Sequence, residues 1–127
     1  MKLVHNRYLI DGIDVVELVE KYGSPVYVYQ TERMKQQYNK MLHAFKDIHV
    51  QINFACKALN NLNVLRFFKN IGSGLDAVSI QEVELGLKAG FNPQDIIFTP
   101  NCVSIEEIIE GVKLGVKINI DNISILE

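Results

Sequence analysis

HVQINFACK, residues 49–57, is the stretch on which the fold of this chain turns. Read as a β-strand, whose side chains alternate between two faces, it sends Val50, Ile52, Phe54 and Cys56 one way. Gln51, Asn53, Ala55 and Lys57 go the other. One face is apolar and the other small or polar. A central strand of an open parallel sheet, with helices on both sides, is apolar on both. The alternation here fits a barrel better, with helices outside and a functional lumen within. VKINID (116–121) repeats the pattern, with Val116, Ile118 and Ile120 opposing Lys117, Asn119 and Asp121.

Outward from that stretch the chain alternates strands and helices. VYVY (26–29), entered through Ser24-Pro25, is β-branched and aromatic and predicts a strand. Thr31 is placed to cap a helix carrying Met34, Tyr38, Met41 and Phe45 on one face. After 49–57 comes a helix with Val64, Phe67, Phe68 and Ile71, stopped by Gly72. LDAVS (75–79) and DIIFT (95–99) predict further strands. Ser79-x-x-Glu82 and Ser104-x-x-Glu107 are capping boxes for the helices that follow, ending near Gly90 and Gly115. The second of these helices carries Ile105, Ile108, Ile109 and Val112 on one face. Strands recurring every 20 to 25 residues with helices between them imply right-handed βαβ crossovers and a parallel sheet. Near the N-terminus Val15, Leu18, Val19 and Tyr22 suggest a short amphipathic helix without an evident packing partner.

Composition narrows the functional classes. The chain has 127 residues, 48% hydrophobic, 22% charged and 9% aromatic, as in an ordinary globular domain. A net charge of −2 offers no basic field for nucleic acid. No apolar run reaches the roughly 18 residues of a membrane span, and the N-terminus has no signal-peptide pattern. Cys56 and Cys102 lie far apart with no metal-ligand spacing, which suits a reducing cytoplasm.

Lys57 is the residue that needs explaining. It stands at the C-terminal end of its strand, where a barrel of this kind carries its chemistry. A lysine there either snorkels to water with its stem on apolar surface or serves as a nucleophile, since desolvation favours the neutral amine that attacks an aldehyde. The surrounding wording decides between them. FACKALNNLNVLRFF (54–68) resembles the cofactor-lysine segment of the fold type III pyridoxal-phosphate-dependent decarboxylases, an aromatic-Ala-x-Lys pattern leading into a helix. The resemblance continues in GSPVYVYQ (23–30), IGSGLDAVSIQEVELGLKAG (71–90), IIFTPNCVSIEEI (96–108) and GVKINIDNISILE (115–127). It covers nearly the whole chain in order.

What the resemblance implies can be stated residue by residue. The fold is α/β, part of a (β/α)8 TIM barrel of the alanine-racemase-like, pyridoxal-phosphate-binding type, cut after about four barrel strands. Lys57 would hold pyridoxal 5′-phosphate covalently and later return a proton or exchange with the product amine. Ala55 would lie beneath the cofactor ring, and Asp76 would pair with the Lys57 amine once substrate frees it. One departure stands in the loop: the family usually has Asn two residues after the lysine, where this chain has Leu59 before Asn60. The implied reaction is decarboxylation of an amino acid, in wording nearest the branch that takes meso-diaminopimelate to L-lysine and CO2. A relative acting on ornithine, arginine or alanine, or a non-catalytic cofactor-binding module, is the alternative. The implied assembly is a cytoplasmic homodimer without membrane or nucleic-acid partners. Residues 1–25 would associate with a C-terminal β-domain, and 26–127 would form the N-terminal half of the barrel. NISILE (122–127) reads as a helix start cut off after one turn. The chain is accordingly expected to be an N-terminal portion, inactive by itself.

Other candidates read as structural. GSG (72–74) follows a helix and precedes a strand, the reverse of a phosphate cradle. Cys56 has the parity of a small buried hydrophobe, and Cys102 that of a loop thiol. His5, His43 and His49 do not cluster, and Glu106 and Glu107 belong to a capped helical turn.

Overall fold

The computed structural model describes residues 1–120, Asn122 and Ile123. The chain divides into two compact units, Met1–Ala44 and Phe45–Glu127.

The first unit opens with a three-stranded antiparallel meander, β1 (Lys2–Val4), β2 (Arg7–Ile10) and β3 (Ile13–Asp14). Its two-residue turns, His5-Asn6 and Asp11-Gly12, have positive φ at both positions (47°, 62°, 50° and 86°). Such turns match the right-handed twist of the strands they join. Helix α1 (Val15–Tyr22) follows directly, N-capped by Asp14, whose carboxylate accepts from the Val16 N–H at 2.8 Å. The expected amphipathic helix is thus formed. Its Leu18 and Tyr22 line a groove of about 260 Å3 with Val26–Tyr29. VYVY itself is not a strand: among the described residues no neighbour pairs with it, and Tyr27 is 87% exposed. β-propensity describes fit to a pleated, half-buried surface, and without a ladder partner it does not make a strand. In α2 (Thr31–Ala44) Tyr38 is buried. Thr31 opens the helix rather than capping it; the Gln30 carbonyl accepts the first helical bond, from Met34 N–H.

The second unit is a parallel sheet of β4 (Asn53–Ala55), β5 (Gly74–Ala77), β6 (Ile96–Phe98) and β7 (Lys117–Ile118), in that spatial order. Helices α3 (Leu62–Asn70), α4 (Ile80–Ala89) and α5 (Ile105–Lys113) connect them. The ladders are shorter than the apolar runs predict, because the chain leaves β4 after Ala55 in a 3-10 turn over Cys56–Ala58. Of 116–121 only Lys117 and Ile118 are paired; Asp121 lies outside the described residues, as does the expected helix start beyond Ile123.

The alternation read from the sequence holds. Leu75, Ala77, Ile96 and Phe98 are fully buried under the helices together with Cys56, Leu65 and Val83. Phe54 stacks on Phe68 of α3 with centroids 4.0 Å apart. On the opposite face the register sets Asn53 beside Gly74, and Ala55, Asp76, Ile97 and Lys117 in one row. Helix α5 is turned so that Ile108 and Gly111 are buried, and Ile105, Ile109 and Val112, expected on the same face, stay exposed. Gly111 explains the turn: a Cβ there would stand 2.9 Å from Phe98 Cδ1.

Helix ends follow local chemistry. Asn61 caps α3, accepting from Asn63 N–H at 3.0 Å. Ser104 and Glu107 form a reciprocal capping box on α5. Ser79 caps α4, but the reciprocal half is displaced, because the Glu82 carboxylate takes the Val78 N–H at 2.9 Å. The helices end beside Gly72, Gly90 and Gly115, at φ 88°, 98° and 73°.

Candidate active site at the C-terminal ends of the parallel strands

Lys57 sits in the middle of the 3-10 turn that ends β4, exposed, at the C-terminal end of the sheet. Among the described residues its amine makes no hydrogen bond or ion pair. The turn is pinned from behind: Cys56 is fully buried, and Leu59 N–H donates to Cys56 O at 3.0 Å. Burial pushes the Cys56 thiol up to about 11, with the negative charge of Glu82 adding to it. It is thus a protonated packing residue beneath the lysine, as its parity predicts.

Ala55 and Asp76 are register partners on the face opposite the helices. Asp76 is half-buried, and the Thr99 hydroxyl donates to its Oδ1 at 2.8 Å. The sheet therefore places the three predicted residues at one end of two adjacent strands, Lys57 two residues beyond Ala55. Two further residues of this face escaped the sequence reading. Thr99, just past β6, lies 23 residues from its partner, and no local signal joins them. Asn53 Oδ1 is buried, has no hydrogen-bond partner among the described residues, and occupies the place that a side chain at Gly74 would take. Its only signal was the strand parity.

The remaining candidates fall where structural roles predict. Gly72–Gly74 is the helix stop and strand entry. Cys102 is exposed at φ 55°, and His5, His43 and His49 are exposed. Glu106 is exposed in the first turn of α5, its carboxyl held below the usual range by its own backbone N–H and by Ser104.

Residues 31–127 match the family model of the pyridoxal-dependent decarboxylases, over their pyridoxal binding domain. The chain belongs to this family. Among curated pyridoxal-dependent decarboxylases it is 42% identical over 116 residues to the diaminopimelate decarboxylase of Methanothermobacter thermautotrophicus, covering 90% of this chain and 27% of that protein. The crystal structure of Methanocaldococcus jannaschii diaminopimelate decarboxylase with L-lysine superposes with a TM-score of 0.91 at 35% identity, covering 97% of this chain and 30% of that one. Lysine/ornithine decarboxylase of Vibrio vulnificus, complexed with putrescine, gives 0.79 at 25% identity, covering 88% of this chain and 31% of its own. The chain thus spans under a third of the length of each. These neighbours are TIM-barrel decarboxylases, and β4–β7 with α3–α5 form part of such a barrel.

The residues present suit the family's cofactor. An aldehyde calls for a primary amine that is free to react, which Lys57 supplies. The methyl side chain of Ala55 keeps this face shallow near it, and Asp76 adds one acid.

Proposed function

We propose that a protein of the relatives' length carrying this chain decarboxylates meso-diaminopimelate to L-lysine and CO2, with pyridoxal 5′-phosphate held by Lys57. The identity to diaminopimelate decarboxylases supports the substrate. The observation that carries the reading is the Lys57 amine at the end of β4, unpaired among the described residues and two residues from the Ala55–Asp76 pair. Lys57 Nζ binds the cofactor, and Ala55 leaves room for it. Asp76 would pair with the Nζ ammonium once substrate frees that amine. Bound pyridoxal phosphate supplies an electron sink for the bond to CO2. Residues 1–25 would associate with a β-domain elsewhere in such a protein, and 26–127 would form the first half of its barrel. We take it to act as a cytoplasmic homodimer, an assembly that light scattering would check.

The test uses the full-length protein. Borohydride reduction with pyridoxal phosphate should leave the cofactor covalently on residue 57, Lys57→Ala should abolish the visible absorbance, and diaminopimelate should yield lysine and CO2. Formation of a diamine from ornithine or lysine instead would favour the second reading, which the likeness to lysine/ornithine decarboxylase supports. Absence of covalent capture at Lys57 would defeat both.

A further inference from the structure

The family resemblance gives Thr99 no role, yet Thr99 is bonded to one of the residues it marks, Asp76, and to the next residue on the same strand, Ala77. Its backbone N–H donates to Ala77 O at 2.8 Å, which extends the β5–β6 ladder one residue past β6. Its hydroxyl donates to Asp76 Oδ1, also at 2.8 Å. A β-branched side chain has a restricted χ1, so backbone and rotamer together fix the hydroxyl. The fixed hydroxyl in turn fixes the plane of the carboxylate. Oδ1 is occupied, and among the described residues Oδ2 accepts no hydrogen bond.

We propose that Thr99 is a positioning residue, which holds the Asp76 carboxylate so that Oδ2 stands ready for the Lys57 amine whenever cofactor leaves it. This rests on the function proposed above. When an incoming primary amine replaces Lys57, the bond from the cofactor's aldehyde carbon to Nζ breaks as the bond to the new nitrogen forms. Both protons of that nitrogen would pass to Nζ, which already carries one in the bound form and would leave as an ammonium ion, with no oxidant or reductant required. The departing Nζ, once protonated, needs an anion already in place. Orienting it beforehand removes that ordering from the reaction itself. The hydroxyl is the group that makes the bond; the methyl only narrows its rotamers.

The experiment compares full-length wild type with Thr99→Val, Thr99→Ser, Asp76→Asn and the Asp76→Asn/Thr99→Val double variant. Its readout is the rate at which methylamine releases Lys57 from bound pyridoxal phosphate, followed by visible absorbance, beside kcat and KM. Thr99→Val should slow release and kcat by about tenfold, the scale of one hydrogen bond to a charged group, with KM unchanged. Thr99→Ser should recover most of the rate. In the Asp76→Asn background Thr99→Val should add less than twofold. Thr99→Ala serves the same comparison if Thr99→Val does not fold. The inference is overturned if either hydroxyl-free variant releases Lys57 at the wild-type rate, if Thr99→Ser is as slow as Thr99→Val, or if the tenfold loss persists without Asp76. Wild type that captures no cofactor at residue 57 overturns the proposed function and this inference together. Normal capture with a normal Thr99→Val rate overturns the inference alone.

Discussion

Ala55 and Asp76 stand side by side on β4 and β5, on the face of the sheet that the helices do not cover. Every property proposed for the site depends on that face staying shallow at Ala55 and acidic at Asp76. Ala55→Leu should weaken capture of pyridoxal phosphate by the full-length protein at least about tenfold, the scale of a small overpacking penalty. An absorbance titration checks this. Undiminished capture would take Ala55 out of the site.

Gly111 permits α5 to lie against Phe98. An added Cβ would stand 2.9 Å from Phe98 Cδ1 and 3.4 Å from Ile118 Cδ1. Alanine in place of glycine ordinarily stabilises a helix by about 1 kcal/mol, and overpacking a filled core costs roughly 1–3 kcal/mol. The clash should win. In urea unfolding Gly111→Ala should be less stable than wild type by about 1 kcal/mol, and Gly111→Val by more. A gain in stability for Gly111→Ala would show that the helix moves outward freely.

Cys56 and Cys102 should differ sharply in reactivity, Cys56 being fully buried and Cys102 exposed. Iodoacetamide at neutral pH should modify Cys102 alone, since the thiolate is the nucleophile and burial holds the Cys56 thiol up near 11. The sign of the pH effect follows. The folded thiol titrates above its unfolded value of 9.0, so its contribution is fully present below about 9 and is lost as pH rises through about 11. Across that window Cys56 should lower the unfolding free energy by at most about 1.4 kcal/mol per pH unit, and Cys56→Ala should remove that contribution to the slope. Labelling of both thiols at equal rates in native protein would contradict the packing described.

Asp14 joins two elements of the N-terminal unit. Its side chain is 5% exposed, caps α1 through Val16 N–H, and pairs with Arg7 at 2.8 Å. Asp14→Ala should destabilise α1 by about 1–2 kcal/mol, the range of a lost cap, visible as faster amide exchange over 15–22. Arg7→Ala should cost less, because its side chain is 67% exposed and water can replace it. Equal effects would mean that the ion pair, and not the cap, holds the helix.

What the amino-acid order determined by itself is what depends on near neighbours. Unlike the buried side of α5, where Ile105, Ile109 and Val112 stay exposed, the caps at Ser79 and Ser104 and the glycine stops were legible because capping acts within a turn of helix. The two faces of the sheet were legible for the same reason, since pleating alternates side chains whatever the strand pairs with. Lys57 could be singled out by its place at a strand end and by the wording around it. The hairpins of the first unit were also written locally, in Asp11-Gly12 between apolar residues, and were overlooked. Tertiary structure alone decided the rest. VYVY has the composition of a strand and, among the described residues, no partner to make it one, because a ladder belongs to two segments. Thr99 reached Asp76 across 23 residues, because that contact exists only once neighbouring strands are in register. Reactive residues can be named from the chain, whereas their orientation depends on groups that only the folded sheet brings within a hydrogen bond.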